Sequence, residues 1–146
     1  MARVFAQEDG NLSTRPITTS RTASYTDIDL TFTNKASGDI FKKTDAAAVK
    51  QSIKNLLMTN NGEKPFNYFF GGNLIDYLFE LADDVDNIDI EDAIMMAVDA
   101  QEPRAAVRGV QVLISPDFNK MDVLIQFQVV NTLELTSVNL ELTRLR

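Results

Sequence analysis

Asp89-Ile90-Glu91-Asp92-Ala93-Ile94-Met95-Met96-Ala97-Val98-Asp99-Ala100-Gln101-Glu102-Pro103-Arg104 is the run at which the chain changes its hydrophobic period. Ile90, Ala93, Ile94, Ala97 and Val98 recur at i, i+3, i+4, i+7 and i+8, which is one face of a 3.6-residue helix. Pro103 has no N–H and disfavours helical geometry at Glu102, so the helix ends there. The proline also stiffens a corner that carries a carboxylate and a guanidinium. Arg104 stands just beyond the helix end, where its side chain can reach outward to a partner without serving the fold. The plainer alternative is a helix stop with two solvated charges.

Downstream of the corner the period falls from 3.6 to 2. Val110, Val112 and Ile114 alternate, and Pro116-Asp117-Phe118-Asn119 turns the chain. Met121, Val123, Ile125, Phe127 and Val129 form the longest alternating strand. Val138, Leu140 and Leu142 mark a third after the break at Asn131-Thr132. Short connections between successive strands predict an antiparallel meander packed on helices.

Upstream, Thr44 is placed to cap a helix from Asp45 to about Thr59, with Val49, Ile53, Leu56 and Leu57 as its apolar stripe and Lys50 and Lys54 off it. Asn60-Asn61-Gly62 ends that helix. The loop Glu63–Gly72 holds Phe66, Tyr68, Phe69 and Phe70, so it either packs on the helices or meets a partner. A short helix runs from Leu74 to Ala82 with Leu74, Leu78, Leu81 and Ala82 on one face, and Asp83–Asn87 links it to the next. Tyr25–Thr33 alternates as a half-buried strand, with Ile28, Leu30 and Phe32 opposite Asp27, Asp29 and Thr31. A turn at Asn34–Asp39 leads to a short return strand at Ile40-Phe41-Lys42. Residues 1–24 are rich in Ser, Thr and Arg without apolar period, an extended arm. The expectation is an α+β protein: an arm (1–24), then a single domain (25–146) of about three helices on an antiparallel sheet, preceded by an extended strand.

Composition narrows the chemistry. The 146 residues include neither histidine nor cysteine. That removes the usual general base, the commonest zinc ligands and thiolate chemistry. No apolar run approaches the roughly 20 residues of a membrane helix, and acids near the N-terminus argue against a signal peptide. Gly72–Glu102 contains ten Asp or Glu and no Lys or Arg, in a chain of net charge −7. Such a block repels nucleic acid and favours a basic protein partner. Glu80, Glu91 and Glu102 are carboxylates of the kind a glycosidase pairs at roughly 5–10 Å, but nothing in the sequence selects one pair. Asp83–Asp89 lacks the glycine and glutamate of a calcium loop, and Gly71-Gly72 lacks the Gly-Lys-Ser/Thr of a phosphate loop. No cofactor, metal or small-molecule substrate is expected.

The order of features is informative. Ser52–Leu57 is followed by Gly62-Glu63-Lys64-Pro65-Phe66, then Phe70-Gly71, then Leu74 with Leu78-Phe79-Glu80, then Glu102-Pro103-Arg104 and the strands. Over about residues 45–131, and loosely in the last strand, this resembles the small baseplate wedge proteins of contractile-tailed phages. These sheath initiators are related to a type VI secretion baseplate subunit and are sometimes labelled lysozymes. The first forty or so residues depart from the short family members. The resemblance implies a structural protein of the virion tail baseplate, assembled in the host cytoplasm in sixfold arrangement. Its implied partners are other wedge proteins and the tail sheath protein, with no nucleic acid and no membrane insertion. It implies that Glu102, Pro103 and Arg104 dock on a helical core bundle of neighbouring wedge proteins. Pro65, Phe66, Phe70 and Gly71 are further candidate partner contacts. Val138, Leu140 and Leu142 mark the candidate acceptor strand for a sheath arm, with Tyr25–Thr33 as the alternative edge. The alternatives are a peptidoglycan glycosidase and the equivalent subunit of a bacterial injection machine.

Overall fold

The computed structural model describes residues 24–79, 86–115 and 119–144. Most of the expected arm, Glu80, the end of the second helix with Leu81 and Ala82, most of the acidic link and the centre of the turn at 116–118 lie outside the described residues. The elements in order are β1 (Thr26–Ile28), β2 (Lys42–Thr44), α1 (Asp45–Leu57), α2 (Leu74–Phe79), α3 (Asn87–Gln101), β3 (Ala105–Ser115), β4 (Lys120–Val129) and β5 (Leu135–Thr143). Strands β3, β4 and β5 form an antiparallel sheet in that order, and β1 pairs with β2 in a separate two-stranded ribbon. The α+β architecture is as expected.

The helices cover one face of the meander. Val49, Ile53, Leu56 and Leu57 from α1, and Ile90, Ile94 and Val98 from α3, are buried against alternate residues of the strands, with Phe127 the largest side chain at the centre. Both predicted stripes are therefore core faces. The opposite face of the sheet mixes polar side chains with exposed Leu113 and Leu135, and there Lys120 sits between Asp122 at 3.1 Å and Glu141 at 3.0 Å. Strand β3 begins five residues earlier than the alternation suggests. A bulge between Val107 and Gly109 breaks the period, so Val107 and Val110, three apart, both turn inward.

The N-terminal ribbon departs from expectation. The half-buried strand expected over Tyr25–Thr33 is only three residues long. Its apolar side faces outward, with Ile28 52%, Leu30 48% and Phe32 62% exposed. Among the described residues no second layer covers them. The ribbon is tied to α1 through its backbone: Gln51 Nε2 donates to the Ile28 carbonyl at 2.8 Å and Gln51 Oε1 accepts from the Leu30 N–H at 3.3 Å. Thr44 occupies the N-cap position of α1 but makes no side-chain cap bond. The next residue, Asp45, instead ties the helix start to the ribbon, its carboxylate accepting from the Tyr25 N–H while its own N–H donates to the Tyr25 carbonyl. The return strand is present, shifted to Lys42–Thr44.

Candidate functional site

Helix α3 ends at Gln101, and Glu102 leaves helical geometry at φ −125°, ψ 77° while its N–H still donates to the Val98 carbonyl. This is the stop that Pro103 dictates. The charges are arranged differently from either sequence reading. Glu102 is 4% exposed, turned into the protein rather than solvated. The Arg104 guanidinium folds back on it as a two-pronged fork, Nε to Oε1 at 2.5 Å and Nη2 to Oε2 at 2.7 Å. Burial alone would raise the Glu102 carboxyl. Arg104 and the Ser52 side chain of α1 outweigh it and hold the carboxyl below its ordinary value of 4.5. Glu102 in turn raises the guanidinium of Arg104. Arg104 also lies 5.6 Å above the Tyr25 ring, and its carbonyl accepts from the Val130 N–H. The corner thus joins α1, α3, the sheet and the N-terminal ribbon. Pro103 is exposed at its apex, and the Arg104 side chain is 30% exposed, with its Nη1 group outside the fork.

The aromatic loop folds on itself. Gly62 donates to the Tyr68 carbonyl at 2.8 Å, Gly72 donates to the Thr59 carbonyl at 3.1 Å, and the Asn73 side chain accepts from the Asn61 N–H at 2.8 Å. Lys64 lies 3.8 Å over the half-buried Phe70 ring. Pro65 is exposed and Phe66, at φ +64°, projects fully into solvent, 110% exposed. Tyr68 and Phe69 are exposed beside it in an edge-to-face pair. Gly71 has a structural duty of its own. At φ +147°, a Cβ there would stand 2.5 Å from the Thr59 carbonyl oxygen.

The two edges of the meander differ. On β3 the Val112 N–H, which points away from β4, is taken by the Glu91 carboxylate of α3 at 2.9 Å. On β5, the Arg144 N–H donates to the Asn119 carbonyl and the Val129 N–H to that of Glu134. With the antiparallel register, the even-numbered residues of β5 therefore exchange bonds with β4. Val138, Leu140 and Leu142 give β4 their backbone groups and the core their side chains. The backbone groups of Ser137, Asn139 and Glu141 face the free edge. The backbone groups on the free edge of β5 therefore belong to the residues between Val138, Leu140 and Leu142. Alternation in the sequence reveals both sets, whereas the Glu91 cap on β3 has no sequence signal.

Two of the three carboxylates considered for catalysis, Glu91 and Glu102, are thus engaged in holding the fold, and Glu80 lies outside the described residues. Among the described residues no group of three or more His, Cys, Asp or Glu could hold a metal ion.

A model of the family described as baseplate wedge protein gp25 matches residues 43–137. The chain belongs to that family. The matched span runs from β2 through α1, the aromatic loop and the Glu-Pro-Arg corner into β5, and contains the whole of the stretch on which the resemblance rests. Baseplate wedge protein gp25 of Enterobacteria phage T4 is 29% identical over 119 residues, spanning 81% of this chain and 90% of the phage protein. Two solved structures share the gp25-family fold. One is a putative tail lysozyme from Geobacter sulfurreducens, with a TM-score of 0.57 and 22% identity over 67% of this chain and 89% of that one. The other belongs to the sixfold-symmetrised cryo-EM structure of the anti-feeding prophage baseplate. Its TM-score is 0.57 at 19% identity, over 81% of this chain and 84% of that one.

Proposed function

We propose that this chain is a structural, non-catalytic subunit of a contractile-tail baseplate wedge. It docks on helical segments of neighbouring wedge proteins and offers the first acceptor strand to the sheath. The observation that carries the reading is the contrast between edges: β3 is covered by α3 and capped by Glu91, whereas among the described residues β5 keeps a row of unpaired backbone groups at Ser137, Asn139 and Glu141. An open edge binds an extended segment through main-chain hydrogen bonds without a deep pocket. The docking half of the reading rests on the Glu102–Pro103–Arg104 corner. A guanidinium already held by Glu102 loses little freedom on meeting a partner carboxylate or carbonyl. Pro65, Phe66 and Phe70 supply apolar contact beside it in the same reading. Ser52, which meets Glu102, is two residues, a rotation of about 200°, from both Lys50 and Lys54 of α1, which stand beside Val138 and Asn139 of β5. Corner and β5 edge therefore lie on opposite flanks of α1, so the two partners do not compete. The sixfold arrangement follows from membership of such a baseplate, as does the tail as the site of residence and the host cytoplasm as the place of assembly.

Asn139→Pro tests the acceptor strand. It deletes an edge N–H and leaves the β4 ladder intact, since Asn139 does not donate to β4. Wedges carrying it are expected to assemble normally and to nucleate no sheath in electron micrographs. Sheaths of normal length would overturn the assignment of β5. In a cell-wall turbidity assay the purified chain is expected to show background rates. Hydrolysis that vanishes on changing one carboxylate to its amide would overturn the non-catalytic reading.

A further inference from the structure

The middle of the β5 edge opens into a groove rather than onto bare surface. Val138 and Asn139 form one side of a space of about 420 Å3, closed by Ala47, Gln51 and the lysines of α1 and by Leu30 of the N-terminal ribbon. A strand added to β5 there would send alternate side chains into this groove and the others over the outer face of the sheet. The two sides are chemically unequal. On the outer face Lys120 is already held by Asp122 and Glu141. In the groove, Lys43 is paired with Asp29 at 3.2 Å, but Lys50 and Lys54 have no carboxylate partner among the described residues. Two unpaired cations on one helical face at i and i+4 repel each other, so a bound anion relieves a cost the free protein carries. Four residues of helix rise about 6 Å. Alternate residues of a strand are about 6.7 Å apart, a close match.

We infer that the groove accepts an extended acidic segment of a partner protein, with carboxylates at alternate positions on the side facing α1. That segment adds to β5 through its backbone and meets Lys50 and Lys54 through those carboxylates. The small Ala47 and the apolar Leu30 leave room for aliphatic side chains beside the acids. Gln51 belongs to the groove but is committed to the ribbon, which fixes the far wall. This inference rests on β5 being the acceptor edge, and it adds the chemistry of the occupant.

The test uses the full chain and two synthetic peptides of about ten residues, alternating Val and Thr with Asp in one and with Lys in the other. Fluorescence anisotropy at low salt is expected to show the Asp peptide binding about tenfold more tightly than the Lys peptide. The preference should shrink as salt is added. Lys50→Glu/Lys54→Glu is expected to reverse it, with circular dichroism confirming an unchanged fold. Asn139→Pro is expected to abolish binding of the Asp peptide. Equal binding of the two peptides, no binding of either, or a preference indifferent to the lysine reversal would overturn the acidic occupant. Loss of sheath nucleation in Asn139→Pro would still stand in those cases. Asp-peptide binding that survives the proline would instead overturn β5 as the ladder it joins.

Discussion

Arg104→Ala is expected to lower the stability of the chain at neutral pH by about 2–3 kcal/mol, as well as to weaken wedge docking. Removing one member of a buried ion pair commonly costs about 3–5 kcal/mol, because the other charge is left without compensation. The lower figure applies because Arg104 itself is about one-third exposed and its attraction is partly screened. The charge left behind is that of Glu102, which is buried and retains the Ser52 side chain and the backbone N–H of residue 104. For a chain of this length the melting temperature should fall by about 5–10 °C. The pH dependence gives the sign. The folded-state carboxyl of Glu102 lies below its ordinary value, so the stabilisation is fully present above the ordinary carboxyl range. It is lost as pH falls through the folded value. The gap between wild type and Arg104→Ala should therefore close as the pH is lowered, and Glu102→Gln/Arg104→Ala should recover part of the loss at neutral pH. A gap independent of pH would overturn the role of the pair in the fold. Docking is read separately, by co-purification with wedge proteins well below the variant's melting temperature. Undiminished recovery would overturn the docking role of Arg104.

Gly71→Ala is expected to destabilise by about 2–4 kcal/mol, the sum of a disfavoured backbone angle and a steric conflict. The added Cβ would lie 2.5 Å from the Thr59 carbonyl oxygen and 2.8 Å from the Asn60 carbonyl carbon, both backbone atoms that cannot swing aside. Gly38→Ala is the internal control. Gly38 also has positive φ, at +81°, but nothing lies within 4 Å of its would-be Cβ, so only the backbone term, about 1 kcal/mol, should appear. Thermal melting of both variants decides the matter. A Gly71→Ala protein no less stable than Gly38→Ala would mean that the loop does not close on the end of α1. The glycine would then be left with a partner-contact role alone. The expected loss means that any assembly defect of Gly71→Ala must be measured on folded protein before it is assigned to a partner.

How much of this was legible in the sequence depends on how local each feature is. The stripes Val49–Leu57 and Ile90–Val98, the stop at Pro103 and the alternation of β4 and β5 are short-range patterns. They translate directly into core faces because the periods 3.6 and 2 decide which side chains share a side. The same alternation at Tyr25–Thr33 misled. It shows that Ile28, Leu30 and Phe32 share a face, but nothing local says whether another layer will cover that face, and none does among the described residues. The start of β3 was hidden by a bulge that shifts the period at Arg108. Sequence alone determined the α+β class, the helix and strand faces and the place of the Glu-Pro-Arg corner. Only tertiary structure decided that Glu102 turns inward and takes Arg104 with it, that Glu91 closes the β3 edge, and that Lys50 and Lys54 stand beside the open β5. Each of those three depends on residues brought together from different elements. Burial and pairing are set by which surfaces meet, not by the order of residues along either one.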